Sequence, residues 1–244
     1  MEITAATQLP ARRENISFQT EDGETLVGEL ALPLCSEPVA TLITLHPLPT
    51  AGGYMDSHLL RKAANRLPAL AQIAVLRFNT RGTESPRGRS SGAFGEGIAE
   101  RFDLMAAAKF CRERGLRNLW LVGWSFGTEV ALLHGREVNP AGLILLSPPL
   151  RRTSEADLLK WNDLDVPIHA LVPELDDYLR PAEATRRFAA VKTAQVHAYP
   201  GQKHLWIGEP ATRLVLNAIV NLVRPGFGEL PLSAVADEAS KPLE

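Results

Sequence analysis

The sequence has little of what marks secreted, membrane-spanning and nucleic-acid-binding proteins. Only two cysteines occur among 244 residues, Cys35 and Cys111, and they lack the paired spacing of a zinc or redox site. The longest apolar runs fall far short of a membrane span, and the N-terminus has no stretch apolar enough for a signal peptide. With 26 basic and 28 acidic residues the formal charge is −2, so no broad positive field attracts nucleic acid or an anionic membrane.

These absences favour a cytoplasmic protein with a small-molecule partner and no membrane or nucleic-acid partner. They leave the oligomeric state open, a homodimer included. The 45% hydrophobic content and the chain length fit one large domain. We expect this domain to span residues 1–225, followed by a C-terminal tail over 226–244 that packs loosely or against a partner, because it lacks helical periodicity.

Eight segments are predicted to be strands. Residues 14–20 and 24–32 alternate apolar and polar side chains around Asp22-Gly23, which is typical of an antiparallel hairpin. Short, almost wholly apolar runs then follow, as in strands buried on both faces. They cover 39–45, 73–78, 119–124, 143–147 and 166–172, and a further strand-like run covers 193–199.

Segments with helical spacing lie between these runs. They are apolar at three- and four-residue intervals near 56–67, 97–114, 126–137, 181–191 and 209–224. Alternation of this kind predicts an α/β fold, with a mostly parallel sheet and helices on both faces. Functional residues are then expected at the carboxyl ends of the strands.

The strongest motif is the run Gly123-Trp124-Ser125-Phe126-Gly127, which links an apolar strand to a helix-like segment. Strand, sharp turn and helix form the context in which a G-x-S-x-G motif exposes a nucleophilic serine. Small residues at Gly123 and Gly127 allow the strand and the helix to approach closely. Ser125 is therefore the candidate nucleophile, and it needs a base, an acid and oxyanion donors.

His204 is the candidate base. Ser, then Asp or Glu, then His is the chain order of such a site, which limits the search to residues after Ser125. Of the histidines there, His134, His169 and His197 lie inside predicted helices or strands, where a structural role is common. His204 instead follows a turn at the end of a predicted strand.

The acid is expected in the loop after strand 166–172, which carries Glu174, Asp176 and Asp177. We favour Asp177, because it stands four residues before the proline that opens the next helix and leaves the loop room to turn inward. Asp176 is the rival, since adjacent side chains cannot both point toward the base. Alternatively, these acids solvate a turn or cap a helix.

Two backbone N–H groups are the candidate oxyanion donors. The first belongs to Phe126, at the start of the helix after Ser125. The second belongs to Leu48, because Pro47 and Pro49 on either side of it have no N–H. His46 ends a buried strand and is expected to hold this loop in place.

The sequence resembles the α/β-hydrolase superfamily, in particular its small, cap-less bacterial hydrolases, over nearly the whole chain. The segments that carry the resemblance are HPLPTAGGYMDS (46–57), FNTRGTESPRG (78–88), FGEGIAERFD (94–103), GWSFG, the DDYLRP loop and PGQKH. It implies an eight-stranded sheet without a sizeable cap domain. It also implies Ser125 as nucleophile, His204 as base, Asp177 as orienting acid, and Leu48 with Phe126 at the oxyanion hole.

One departure from the pattern concerns Leu48, where close relatives tend to have a second histidine. Arg81, Glu100 and Asp103 match the pattern too, and we interpret them as a structural ion-pair network.

The predicted function is a carboxylesterase-like serine hydrolase that acts through an acyl-enzyme, without metal or cofactor. The segment between strands 143–147 and 166–172 is long enough for only one helix, so the site is expected to be open and to accept short-chain or compact esters. The alternative functions are those of a thioesterase, a lactone hydrolase or a peptidase that uses the same catalytic triad of Ser125, His204 and Asp177. A further alternative is a non-catalytic pseudo-hydrolase. The predicted pocket walls are Trp124, Pro148, Tyr178, Leu205 and Trp206.

Overall fold

Strands and helices alternate along the chain, as the apolar periodicity predicts. A computed structural model describes residues 2–234. In chain order its strands and helices are β1 Arg12–Gln19, β2 Thr25–Leu32, β3 Ala40–Leu45, α1 His58–Ala71, β4 Ile73–Phe78, β5 Glu84–Ser85, β6 Gly88–Arg89, α2 Glu100–Glu113, β7 Leu119–Trp124, α3 Phe126–His134, β8 Gly142–Leu146, α4 Glu155–Leu159, β9 Ile168–Pro173, α5 Pro181–Phe188, β10 Ala194–Tyr199 and α6 Glu209–Val223.

Eight of these strands form one sheet, in the order β1-β2-β4-β3-β7-β8-β9-β10. The pairs β1–β2 and β2–β4 are antiparallel, and the other pairs are parallel. The prediction of a mostly parallel, eight-stranded sheet with an antiparallel hairpin at one edge is confirmed. Strands β3 and β7 lie near the middle of the sheet, so their carboxyl ends are neighbours.

Helices cover both faces of the sheet. On one face, α2, α3 and α5 contribute buried side chains such as Leu104, Val130 and Phe188. On the other face, α1 and α6 contribute side chains such as Leu67 and Val215. Burying one such side chain stabilises the fold by about 1.5–3 kcal/mol, so each face holds a substantial apolar core.

The connection between β8 and β9 is short. It contains α4 and a 3-10 turn over Lys160–Asp163, and Trp161 from this turn is fully buried and donates its Nε1–H to the carbonyl of Leu132 on α3. No cap domain is inserted anywhere between residues 2 and 234. The expectation of a fold without a sizeable cap is confirmed.

An ion-pair network holds the long loop after β4. Arg81 donates to Asp103 through both its backbone N–H (2.8 Å) and its Nε (2.9 Å), and it also pairs with Asp22. Glu100 accepts the backbone N–H groups of Gly95 and Gly97, each at 2.8 Å. Burial raises the pKa of Asp103 to about 6, against the opposing effect of Arg81. These contacts match the structural role assigned from the sequence.

The first part of the predicted tail lies against α6. Leu230 is buried, and its N–H donates to the side chain of Asn217, while Gly228 and Asn221 exchange two further hydrogen bonds. Residues 235–244 lie outside the described part of the chain, so the division at residue 225 stays a prediction. None of the helices within residues 2–234 is both long and apolar enough to span a membrane.

Candidate active site

Ser125 occupies the turn between β7 and α3, with a backbone φ of +51° and ψ of −115°. L-residues rarely adopt a positive φ, so this conformation requires close support from its neighbours. A Cβ on Gly123 would lie 2.5 Å from the carbonyl oxygen of Gly127, and a Cβ on Gly127 would lie 2.0 Å from that of Leu45. Only glycine fits at either position, so both glycines of the motif are required by packing.

His204 lies in the loop after β10, with its side chain at Ser125. Its Nε2 is 2.9 Å from the Oγ of Ser125. Two donors hold its backbone carbonyl, the Nε1–H of Trp124 at 3.3 Å and the hydroxyl of Ser147 at 3.0 Å. The loop is thereby anchored to the ends of β7 and β8.

Asp176, and not Asp177, contacts the histidine. The Nδ1 of His204 lies 2.9 Å from Oδ2 and 3.1 Å from Oδ1 of Asp176, which is only 2% exposed. Asp177 is exposed. The preference for Asp177 is therefore corrected. The reason is a local turn, in which Oδ1 of Asp176 accepts the N–H of Tyr178 at 2.8 Å, so that the intervening residue faces solvent.

The two hydrogen bonds of the imidazole define its tautomer. Asp176 is an acceptor, so Nδ1 carries the hydrogen, and Nε2 is left to accept the hydroxyl hydrogen of Ser125. A buried carboxylate in this position also stabilises the imidazolium that forms when the histidine takes a proton. The arrangement can therefore deprotonate a serine hydroxyl.

The backbone N–H groups of Leu48 and Phe126 are both free to bind an oxyanion. Phe126 is the first residue of α3, and within residues 2–234 neither N–H donates to another protein group. The carbonyl of Leu48 accepts the N–H groups of Ala51 and Gly53, which gives its loop a tight turn. Both residues line the cavity at Ser125.

His46 connects the Leu48 loop to the loop after β4. Its Nδ1–H donates to the carbonyl of Pro47 at 2.7 Å, and its Nε2 accepts the backbone N–H of Thr80 at 3.1 Å. This pattern requires a neutral imidazole. Burial accordingly lowers the pKa of His46 to about 4. The structural role expected from the sequence fits these contacts.

A cavity of about 160 Å³ opens beside Ser125. Two of the predicted pocket residues, Tyr178 and Leu205, lie on it. The residues around it are Pro47, Leu48, Ala51, Ser125, Phe126, Pro149, Arg151, Arg152, Tyr178, His204 and Leu205.

Trp124, Pro148 and Trp206 lie outside this lining, and their prediction as pocket walls is corrected. Trp124 is buried against the edge of the His58 ring, and Trp206 is fully buried with its Nε1–H donated to Ser147 at 2.8 Å. Pro148 is buried beside Pro149, which does reach the cavity. All three adjoin cavity residues in the chain, but their side chains are buried in the protein and do not reach the cavity.

Arg151 and Arg152 line the cavity and were not predicted. They follow β8, at the carboxyl ends of the strands, where functional residues are expected. Their position in the run Pro148-Pro149-Leu150-Arg151-Arg152, directly after a predicted strand, could have indicated them.

Glu129, fully buried on α3, fixes the backbone of these arginines. Its Oε1 accepts the N–H of Arg151 at 2.6 Å and that of Arg152 at 3.2 Å, and its Oε2 accepts the hydroxyl of Thr153.

Solved structures share this fold over most of their length. A lid-less α/β serine hydrolase from Xanthomonas campestris is 25% identical and superposes with a TM-score of 0.69, over 89% of this chain and 94% of that one. The chain has the α/β-hydrolase fold. An α/β serine hydrolase homologue from Coxiella burnetii, 22% identical, covers 88% of this chain and 97% of its own at a TM-score of 0.71.

A third structure with this α/β-hydrolase fold is that of Est1E from Butyrivibrio proteoclasticus with bound ferulic acid. It is 16% identical, with a TM-score of 0.69 over 84% of this chain and 96% of that one. No protein-family model matches the chain, and no curated protein matches it.

Proposed function

We propose that the protein is a serine hydrolase that cleaves compact carboxylic esters. One observation carries this proposal: the continuous hydrogen-bonded series from Asp176 through His204 to Ser125, with 2.9 Å at each of its two links. The serine stands at a strained turn, and the two free N–H groups of Leu48 and Phe126 border the same cavity. Three solved structures of the same fold, two of them of one protein, are described as esterases.

The reaction proceeds in two acyl-transfer steps. The Oγ of Ser125 attacks the ester carbonyl carbon while Nε2 of His204 takes the hydroxyl proton. The carbonyl oxygen becomes an oxyanion that the N–H groups of Leu48 and Phe126 stabilise. His204 then donates its proton to the departing alcohol oxygen, which leaves an acyl-enzyme.

Water completes the cycle. His204 removes a proton from the water molecule, the resulting nucleophile attacks the acyl carbon, and the bond to Ser125 Oγ breaks as the serine regains its proton. The products are a carboxylic acid and an alcohol. Asp176 keeps Nδ1 protonated throughout and stabilises the positive imidazolium in both steps.

The cavity supports a preference for short or compact acyl groups. Its volume of about 160 Å³ is below the range of about 300–1,000 Å³ that is usual for drug-sized ligands. Apolar walls from Leu48, Phe126, Pro149 and Leu205 suit a few methylene groups or one ring. No cap formed by residues 2–234 covers the cavity, so the alcohol part of the ester can extend into solvent.

The decisive experiment measures hydrolysis of p-nitrophenyl acetate and butyrate by the wild type and by Ser125→Ala. We expect kcat/KM to fall by at least about 10⁴-fold in the variant, because the nucleophile is lost. Ser36→Ala is the matched control, since Ser36 is exposed and precedes β3, whereas the site lies at the other end of that strand. Undiminished turnover by Ser125→Ala would overturn the proposal.

A fluorophosphonate probe separates a working enzyme from an inert binding protein. We expect covalent labelling of the wild type at Ser125 and none of Ser125→Ala. A panel of butyryl ester, thioester and anilide then ranks the bond types, and faster turnover of the thioester or the anilide would replace the ester assignment with a thioesterase or a peptidase.

A further inference from the structure

One side of the cavity is positively charged. Arg151 and Arg152 both line it, whereas no aspartate or glutamate of residues 2–234 does. Hydrolysis of a neutral ester does not require two cations at this position. The charge therefore needs an explanation beyond the triad.

The two arginines differ in their partners. Arg152 donates to the carboxylate of Glu96 at 2.9 Å and to its backbone carbonyl at 3.0 Å, so its charge is already compensated. Arg151 is exposed, and no carboxylate of residues 2–234 forms an ion pair with its guanidinium. Even Asp177, which adjoins Tyr178 in the chain, does not pair with it.

The guanidinium of Arg151 is nevertheless held in a defined place. Its Cζ lies 4.6 Å from the centroid of the Tyr178 ring, a cation–π contact. The same ring packs edge-on against the imidazole of His204, with 4.5 Å between the ring centroids. A cation with no anionic partner among residues 2–234 thus lies one aromatic ring away from the proposed base.

The backbone at Arg151 is also fixed. Its N–H is bound by the buried Glu129, and the preceding residue, Leu150, has a positive φ of 47°. Arg187 donates to the carbonyls of Leu150 at 3.4 Å and Thr153 at 3.2 Å, on either side of the pair. Leu150 keeps its strained conformation because these hydrogen bonds hold the backbone before and after Arg151. The surrounding structure therefore determines the position of the Arg151 backbone.

We infer that Arg151 is a specificity-determining residue that binds a carboxylate carried by the ester substrate. This inference rests on the proposed function and names the substrate class for the same site. A guanidinium presents two parallel N–H donors to a carboxylate, a geometry that ammonium groups do not offer. The substrate class is therefore a monoester of a short dicarboxylic acid, or an ester whose alcohol part bears a carboxylate.

The test compares matched anionic and neutral esters. On the acyl side the pair is mono-p-nitrophenyl adipate and p-nitrophenyl hexanoate, which have equal chain length. On the alcohol side the pair is 4-carboxyphenyl butyrate and phenyl butyrate. For each pair, the ratio of kcat/KM for the anionic ester to that for the neutral ester is measured in the wild type, Arg151→Gln and Arg117→Gln.

Arg117→Gln is the matched control. Arg117 is an exposed arginine just before β7, whereas Ser125 follows the other end of the same strand. We expect Arg151→Gln to lower the ratio by about 10- to 100-fold for one of the two pairs, which identifies the side that bears the carboxylate. Arg117→Gln leaves both ratios unchanged. In the wild type, added NaCl should raise KM for the favoured anionic ester more than for its neutral partner.

The outcomes are distinguishable from those of the proposed function. Ratios that are the same in Arg151→Gln and in the wild type, with Ser125-dependent hydrolysis of the neutral esters intact, would overturn only the role of Arg151. Absence of Ser125-dependent hydrolysis of all four esters would overturn the proposed function, and this inference with it.

Discussion

Charged side chains are arranged differently at the antiparallel edge of the sheet and at the mouth of the cavity. At the edge, the buried Glu29 of β2 pairs with Arg77, with Arg13 at 3.3 Å and with Arg87 at 2.8 Å. Asp56 pairs with Arg77 and, at 3.2 Å, with Arg87. Each of these charged side chains at the edge has an oppositely charged partner within the protein, whereas at the mouth the guanidinium of Arg151 pairs with no carboxylate of residues 2–234.

The difference separates buried charges that stabilise the fold from an exposed charge that is available to bind a ligand. Removing charges from water costs several kcal/mol per ion, so a buried ion must be paired. An exposed arginine bears no such requirement, and it can stay unpaired where that serves binding. Four predictions probe this contrast, beginning with the largest effect.

Asp176 and Asp177 show the contrast in two adjacent residues, one buried and paired and the other exposed. We expect Asp176→Asn to lower kcat for p-nitrophenyl butyrate by about 10³- to 10⁴-fold, because an amide no longer enforces the required tautomer of His204. Asp177→Asn should change kcat by less than about twofold. Equal losses in the two variants, measured by steady-state kinetics, would show that the assignment of the acid is wrong.

Glu29 tests the compensated side. Glu29→Gln leaves the three arginines around it short of a negative charge, so we expect the free energy of unfolding to fall by about 3–5 kcal/mol. Urea denaturation measures the change, with the exposed Glu37→Gln as the control, for which less than about 0.5 kcal/mol is expected. An equally small change at Glu29 would contradict a structural role for this network.

His46 extends the contrast to a group that must remain uncharged. Burial lowers its pKa in the folded protein to about 4, below its ordinary value of 6.5. The unfolded chain therefore binds a proton first as the pH falls, so this group's stabilisation is complete above pH 6.5 and is lost between pH 6.5 and 4. The loss amounts to about 3 kcal/mol.

The measurement is the free energy of unfolding of the wild type and of His46→Gln as a function of pH. The difference between the two curves isolates His46 from His169, whose pKa is also lowered to about 4 by burial and by His197. A difference that is constant from pH 6.5 to 4 would exclude this role for His46.

The smallest effect is expected for an ion pair that is exposed at both ends. Lys109 and Glu113 lie one turn apart on α2, with 3.8 Å between Nζ and Oε1 and both side chains more than 60% exposed. Lys109→Gln should lower the free energy of unfolding by at most about 0.5 kcal/mol, because solvent screens the pair. A loss as large as that of Glu29→Gln would remove the distinction between paired charges that are buried and those that are exposed.

The fold was predictable because its signals are repeated along the chain. Runs such as 73–78 and 119–124 coincide with β4 and β7, since a strand buried on both faces requires apolar residues throughout. Ser125 was identified from the G-x-S-x-G motif and His204 from its place later in the chain, and the same periodicity places both after the carboxyl ends of strands. The five predicted helical segments lie within about four residues of α1, α2, α3, α5 and α6, whereas α4 had no predicted bounds.

The direction of individual side chains at the site was not predictable. Asp176 and Asp177 differ by one position, and only the turn closed by the N–H of Tyr178 decides which of them faces His204. Trp124 and Trp206 adjoin site residues but point away from the cavity. Periodicity gives no information on side-chain direction at the last residue of a buried strand, as at Trp124, or in loops, and for the same reason Arg151 was missed.

The carbonyl of His204 accepts two hydrogen bonds, from Trp124 and from Ser147, each at the end of a central strand. The position of the His204 backbone is thus set by the central strands of the sheet. The conformational entropy of aligning base and nucleophile is lost once, when the chain folds, and not again in each catalytic cycle. Asp176, His204 and Ser125 are already hydrogen-bonded to one another without a substrate, so under the proposed function substrate binding has only the ester carbonyl left to position.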